Sequence, residues 1–334
     1  MKAMRIVLCY PVQGSHLARI RAQAHELDPG CEVIDAGQER IATEILDADI
    51  YCGHAKVEVP WDQVVEQGRL RWIQSSAAGM DHCLVPEVID SDILVSSASG
   101  VLADQVAEHT LALVTAQLRS LPTFFRAQHD KEFIRRPTRD LTHSTVGIVG
   151  FGGVGRRVAE TLAPFKTRIL ATDMFPIDKP EYVEALWPPE RLEAMLGECD
   201  IVVLSLPLNE STRGLFDASL LMKLKADALL VNVARGPIVV EGDLVEVLQS
   251  GHLFGAALDV TEEEPLAAGS ALWELPNVLI TPHVAGQSAR RIDDMTTFFC
   301  DNLVRYHSGQ PLRNLVDKQL GFPRRPGSAV PTAS

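Results

Sequence analysis

The run Val146-Gly147-Ile148-Val149-Gly150-Phe151-Gly152-Gly153-Val154-Gly155-Arg156 constrains this chain more than any other stretch. An apolar strand runs into G-x-G-x-x-G, and residues 157–162 continue with helical character. In such a unit Gly150 makes the tight turn and Gly152 lets main chain approach a pyrophosphate. Gly155 lets the helix pack closely on the strand, and the helix N-terminus attracts phosphates. The pattern needs an acid about 20 residues on, and Asp173 stands there, after the apolar run 168–172. A carboxylate at that place accepts from the adenosine ribose hydroxyls and repels a 2′-phosphate, so NAD is expected over NADP. A plain glycine turn with a helix-capping aspartate is the bland alternative, and it leaves the joint spacing unexplained.

Around this unit, short apolar runs alternate with stretches of helical period, the pattern of an α/β protein with parallel strands. A first series has strands at 5–9, 32–35, 50–52, 72–74 and 93–96, with amphipathic stretches such as 17–27 and 61–66 between them. Residues 103–119 read as one long, largely buried helix, with Pro122 placed to stop it. A second series follows at 145–149, 168–172, 200–205, 228–232, 255–259 and 278–281, and the chain turns helical again over 287–306. A length of 334 residues is enough for about two domains. The expected fold is therefore α/β with two doubly wound parallel-sheet domains, the second a Rossmann-type NAD-binding domain. The expected boundaries are 1–99 for a substrate domain, 100–286 for the NAD-binding domain and 287–334 for a return to the first. The active site is expected in the cleft between them, with hinges near Gly100 and Gly286.

Composition narrows the partners. With 31 Lys and Arg against 44 Asp and Glu, the net charge is −13, which disfavours nucleic acid and anionic membranes as main partners. An anionic substrate would then need a local cation. The 6 cysteines are scattered, with no C-x-x-C pair and no zinc-ligand spacing, so no metal is expected and free thiols in a reducing cytoplasm are. The first apolar run is too short for an exported or membrane-spanning segment. The stretch 321–334, rich in Pro, Arg, Gly and Ser, is expected to be a mobile tail.

Ligands of open α/β sheets bind at the carboxyl ends of strands. Three such ends carry reactive groups: Arg235, Asp259 and His283, with Glu264 in an acidic loop nearby. Arginine can grip a substrate carboxylate with a forked pair of hydrogen bonds. Histidine can deliver a proton to a carbonyl oxygen as hydride reaches carbon. A glutamate can hold that imidazole in one tautomer and favour its protonated form. These are the parts needed to reduce a 2-oxo acid.

With these residues in place, the chain resembles the D-isomer-specific 2-hydroxyacid dehydrogenases, including the glyoxylate/hydroxypyruvate reductases and phosphoglycerate dehydrogenases. The shared motifs are Gly150-Phe151-Gly152-Gly153-Val154-Gly155, Val231-Asn232-Val233-Ala234-Arg235-Gly236, Ala257-Leu258-Asp259-Val260, Glu263-Glu264-Pro265-Leu266 and Thr281-Pro282-His283-Val284-Ala285-Gly286. Upstream, Ser76-Ala77-Ala78-Gly79-Met80-Asp81 and Val106-Ala107-Glu108-His109-Thr110 belong to the same pattern. The resemblance implies Arg235, Glu264 and His283 as catalytic residues, with Glu264 rather than Glu262 or Glu263 because it directly precedes the proline. It implies cofactor contacts at Val154, Gly155, Arg156, Pro207, Thr212, Val233, Ala234, Asp259, Ala285 and Gly286. The small-residue loop Ala77, Ala78 and Gly79 would meet the substrate carboxylate with its amides. A homodimer through the NAD-binding domain and a small substrate such as glyoxylate or hydroxypyruvate are further implications.

His54 and Lys56 follow a first-series strand and Arg290 opens the returning helix; each is either a substrate contact or an ordinary loop or cap residue. The rival from another functional class is an NAD-sensing, non-enzymatic corepressor on the same fold. A methyltransferase using the glycine loop would leave Arg235, Glu264 and His283 without a role.

Overall fold

The computed structural model describes residues 3–324, which divide into two compact units: 3–102 with 288–324, and 103–287. In the first, strands β1 (Arg5–Cys9), β2 (Glu32–Asp35), β3 (Ile50–Gly53), β4 (Trp72–Ser75) and β5 (Leu94–Ser96) form a parallel sheet of order β2-β1-β3-β4-β5. The helix Arg291–His307 packs on this sheet, burying Met295, Phe298, Phe299, Cys300 and Leu303 against Ile6, Leu8, Ile50 and Trp72. Phe299 lies 5.6 Å from the Trp72 ring, and its truncation to alanine should cost about 3–5 kcal/mol. A buried polar cluster fixes the helix register. The Trp72 indole donates to Ser96 Oγ at 2.8 Å, and Gln74 Oε1 accepts from Ser96 at 2.8 Å and from Asn302 at 2.9 Å.

The second unit holds β6 (Thr145–Val149), β7 (Arg168–Thr172), β8 (Ala185–Trp187), β9 (Ile201–Leu204), β10 (Leu229–Asn232), β11 (Gly255–Leu258) and β12 (Val278–Ile280). They form a parallel sheet of order β12-β11-β10-β9-β6-β7-β8. Both faces are covered, which is why the strands are apolar throughout. Along β9, Ile201 and Val203 enter one core while Val202 and Leu204 enter the other. The helix Ala103–Leu118 supplies Ala107, Leu113, Val114 and Leu118 to the first of these cores. The other face receives Leu244, Val247 and Leu248 from the helix Glu241–Gln249.

Four local readings need correction. Pro122 does not stop the long helix; Ser120 does, at φ 57, and Pro122 lies in the first turn of the next helix, Leu121–His129, where a missing N–H costs nothing. The final helix starts at Arg291 rather than near 287. Strand β8 was not foreseen, being short, half-buried at the sheet edge and followed directly by Pro188 and Pro189. The part of the expected tail that is described is ordered: β14 (Phe322–Pro323) pairs antiparallel with β13 (Val316–Asp317), and Arg324 forms an ion pair with Asp317. The rest of that stretch, 325–334, lies outside the described residues. No described helix is long and apolar enough to cross a membrane.

Candidate active site

The glycine loop leaves β6 beside the end of β9, where the winding of the sheet reverses and open α/β folds form a crevice. Gly150 has φ +90, and a Cβ there would lie 2.9 Å from Ser205 main chain. A Cβ on Gly155 would lie 2.1 Å from Gly150 O, so the helix Gly153–Leu162 reaches the strand only because that side chain is missing. Gly152 differs: a Cβ there would meet nothing within 4 Å. No packing demand of the protein explains that glycine, and it caps the helix without a side-chain hydrogen bond. An open helix N-terminus beside a glycine with empty space in front of it fits a pyrophosphate, so the residues present suit a dinucleotide.

Asp173 stands at the end of β7, and its carboxylate accepts from Phe151 N–H at 2.7 Å and Phe175 N–H at 2.8 Å. It therefore pins the glycine loop. An ionised carboxylate offers about four acceptor sites, so capacity remains for hydroxyls. Arg156 extends over the Phe151 ring at 4.7 Å and donates to the carbonyls of Ile177 and Asp178. Thr212 closes the 207–212 loop, donating to Pro207 O at 2.7 Å and accepting from Asn209 N–H at 2.9 Å. Val154 and Val233 are partly buried against the core, and Ala234 is buried.

The reactive groups follow β10, β11 and β12, which are neighbours in the sheet. Buried Asn232 staples the turn after β10, accepting from Ala234 N–H and donating to Arg235 O. Arg235 is half-buried in extended backbone, with one guanidinium nitrogen donating to Ala234 O at 2.7 Å. A Cβ on Gly236 would lie 1.7 Å from Thr261 O, so this glycine lets the loop of Glu264 come against the turn of Arg235. His283 Nδ1 lies 2.7 Å from Glu264 Oε2. A carboxylate only accepts, so Nδ1 carries the proton in that bond and Nε2 is the nitrogen left to exchange one.

His283 has φ +54, a left-handed conformation costly for a residue with a side chain. Asp259 enforces it. Its carbonyl takes His283 N–H at 2.7 Å, and its carboxylate takes the N–H groups of Val284 and Ala285, each at 2.9 Å. Burial alone would raise the Asp259 pKa, but hydrogen bonds from His109, Thr281 and these two amides hold it below the ordinary carboxylate value. Gly286 follows this turn, partly buried.

In the first unit, Ser75 Oγ accepts from Ala77 N–H at 3.0 Å and donates to Ala77 O at 3.1 Å, folding the loop after β4. Among the described residues nothing accepts from the Ala78 and Gly79 amides. His54 follows β3, and its ring stacks on His82 with centroids 4.0 Å apart. The exposed Lys56 donates its N–H to Gln38. Arg290 is exposed beside Asp294 one helical turn on, the arrangement of a helix-end ion pair. Sequence reasoning passed over Asn232 and Thr281, whose short polar side chains signal nothing until the strands are aligned. Among the described residues there is no cluster of three or more metal-binding side chains.

Residues 111–285, just over half of the chain, match the family model for the NAD-binding domain of D-isomer-specific 2-hydroxyacid dehydrogenases. A glyoxylate reductase of Thermofilum pendens is 34% identical over 75% of this chain and 76% of its own, and one of Pyrococcus furiosus is 31% identical over 87% and 88%. Among solved structures, a D-isomer-specific 2-hydroxyacid dehydrogenase of Xanthobacter autotrophicus, held with NADPH and MES, superposes with a TM-score of 0.80. It is 29% identical and covers 96% of this chain and 100% of its own. An NADPH-dependent glyoxylate/hydroxypyruvate reductase of Sinorhizobium meliloti, with NADP and sulfate, gives 0.79 at 28% identity over 96% and 100%. The chain belongs to the D-isomer-specific 2-hydroxyacid dehydrogenase family, an oxidoreductase that interconverts 2-hydroxy and 2-oxo acids with a nicotinamide dinucleotide.

Proposed function

We propose that this enzyme reduces small 2-oxo acids, glyoxylate and hydroxypyruvate foremost, with NADH as its preferred cofactor. The observation that carries the reading is the 2.7 Å contact between His283 Nδ1 and Glu264. It leaves Nε2 to give a proton to a carbonyl oxygen in reduction and to take it back from a hydroxyl in oxidation. Arg235 binds the substrate carboxylate and polarises the carbonyl. The nicotinamide, when bound, supplies or accepts the hydride. Glu264 keeps the imidazole in one orientation through the cycle. The substrate choice is supported by the relatives, several of which are glyoxylate reductases.

Asp173 supports NAD, since a carboxylate at that place in such a unit would accept from the ribose hydroxyls and repel a 2′-phosphate. A second reading, NADP, draws on Arg156, whose guanidinium lies beside the 177–178 carbonyls, and on the solved relatives that hold NADP or NADPH. We place the enzyme in the cytoplasm, where its six free, buried cysteines would stay reduced. Leu121, Phe125 and Phe133, exposed on the second unit, support a homodimer formed through it.

The test is a panel of 2-oxo acids assayed with NADH and with NADPH. The proposal expects turnover of glyoxylate and hydroxypyruvate, faster with NADH, and a narrowed preference in Asp173→Ala. NADH binding without turnover of any 2-oxo acid would favour the sensing corepressor, and equal use of both cofactors would remove the role given to Asp173.

A further inference from the structure

One residue with no role in the chemistry above stands behind the turn that carries His283. His109 lies on the helix Ala103–Leu118, with Nε2 2.9 Å from Thr281 Oγ1 and 3.4 Å from Asp259 Oδ1. The proton inventory gives these contacts a direction. The Asp259 carboxylate, 2% exposed, only accepts, and Thr281 Oγ1 lies 2.6 Å from it. The single hydroxyl proton of Thr281 therefore points at Asp259. Thr281 can then meet His109 only as an acceptor, so His109 Nε2 carries a proton. The chain of donors runs from His109 to Thr281 to Asp259, and it ends on the carboxylate that takes the Val284 and Ala285 amides. Thr281 also accepts from His283 N–H with its own carbonyl, at 3.0 Å.

The left-handed backbone of His283 makes this support consequential. A residue at φ +54 relaxes unless its neighbours hold it, and the backbone N–H of His283 is held by the carbonyls of Asp259 and Thr281. We infer that His109 is a positioning residue for the acid/base histidine, acting through Thr281 and Asp259. The inference rests on the role proposed for His283. If His109 no longer donates, Thr281 and Asp259 lose a hydrogen-bond donor and the turn gains freedom, so Nε2 of His283 is aimed less well. Such an error costs turnover and leaves dinucleotide binding at the glycine loop largely untouched.

Glyoxylate reduction with NADH by four variants tests this. His109→Leu removes the donor, His109→Gln keeps an N–H at similar reach, Thr281→Val removes the relay, and the fourth combines His109→Leu with Thr281→Val. The expected result is a fall in kcat of roughly 10- to 100-fold for His109→Leu, with the KM for NADH within about twofold. His109→Gln should return to within about threefold of the parent, and the double variant should be no slower than Thr281→Val alone. Should His109→Leu fail to fold, as judged by NADH titration and melting, His109→Asn replaces it, since its amide is too short to reach Thr281. An undiminished kcat, a His109→Gln as slow as His109→Leu, or losses that multiply in the double variant would each overturn the inference. His283→Ala separates it from the reading beneath: full activity there removes the acid/base assignment itself. An inactive His283→Ala beside an unimpaired His109→Leu removes only the positioning role.

Discussion

Two strand–loop–helix units in this chain share a topology and differ in how the helix begins. In the first unit β1 lies between β2 and β3 and leads through residues 10–13 into the helix Gly14–Leu27; in the second β6 lies between β9 and β7 and leads into Gly153–Leu162. Both loops leave at the carboxyl edge of a parallel sheet. In the first, His16 turns back on its own helix: Nδ1 accepts from Gln13 N–H at 3.1 Å, and Nε2 donates to Asp293 at 2.8 Å. That helix start is engaged by the protein's own side chains. In the second, Gly152 caps without a side chain and faces open space. The winding of the sheet thus supplies two crevices, and the side chains decide which stays open to phosphate. A doubly wound sheet is not by itself a nucleotide site.

Four substitutions press on this contrast, beginning with the largest effect. His283→Ala should lower kcat by about 10²- to 10⁴-fold, the usual worth of a general acid, while NADH affinity by fluorescence titration stays within about twofold. That outcome separates chemistry from binding within the second unit. Gly155→Ala should cost about 3 kcal/mol of stability in a denaturant titration and abolish NADH binding, because its Cβ would press into Gly150 O. Gly152→Ala should leave the denaturation midpoint unchanged and weaken NADH roughly tenfold, about 1.4 kcal/mol, since only a bound group would meet the new methyl. Gly14→Ala, at the matching helix start of the first unit, should be the mildest. Its Cβ also meets nothing, so a gain of up to about 1 kcal/mol in stability and no change in NADH binding are expected.

The same contrast explains what the sequence could and could not tell. The glycine loop was legible because its function lies in backbone geometry, and backbone demands appear as glycines at fixed spacing between a strand and a helix. Arg235, Asp259 and His283 were legible as strand ends once the second series of strands was counted. Glu264 was separable from Glu262 and Glu263 only through the resemblance, because three adjacent carboxylates look alike until one of them faces a histidine. The supports were not legible. Asn232 holds the Arg235 turn, Thr281 meets Asp259, and His109 reaches Thr281 from a helix 172 residues away in sequence. Such contacts depend on which strands become neighbours, and no local pattern records that. The stop at Ser120 was missed for a related reason: a left-handed serine has no composition signal, whereas the proline two residues on is conspicuous and serves the next helix instead.

The most direct test of the central claim, that one crevice of the two holds the dinucleotide, is the stoichiometry of NADH binding. A calorimetric titration of the intact protein should give one NADH per chain, with no further site at higher concentration. Repeated on Gly155→Ala, it should give none, and on Gly14→Ala it should be indistinguishable from the parent. Two NADH per chain, or binding that survives Gly155→Ala in a folded protein and is lost in Gly14→Ala, would contradict the account.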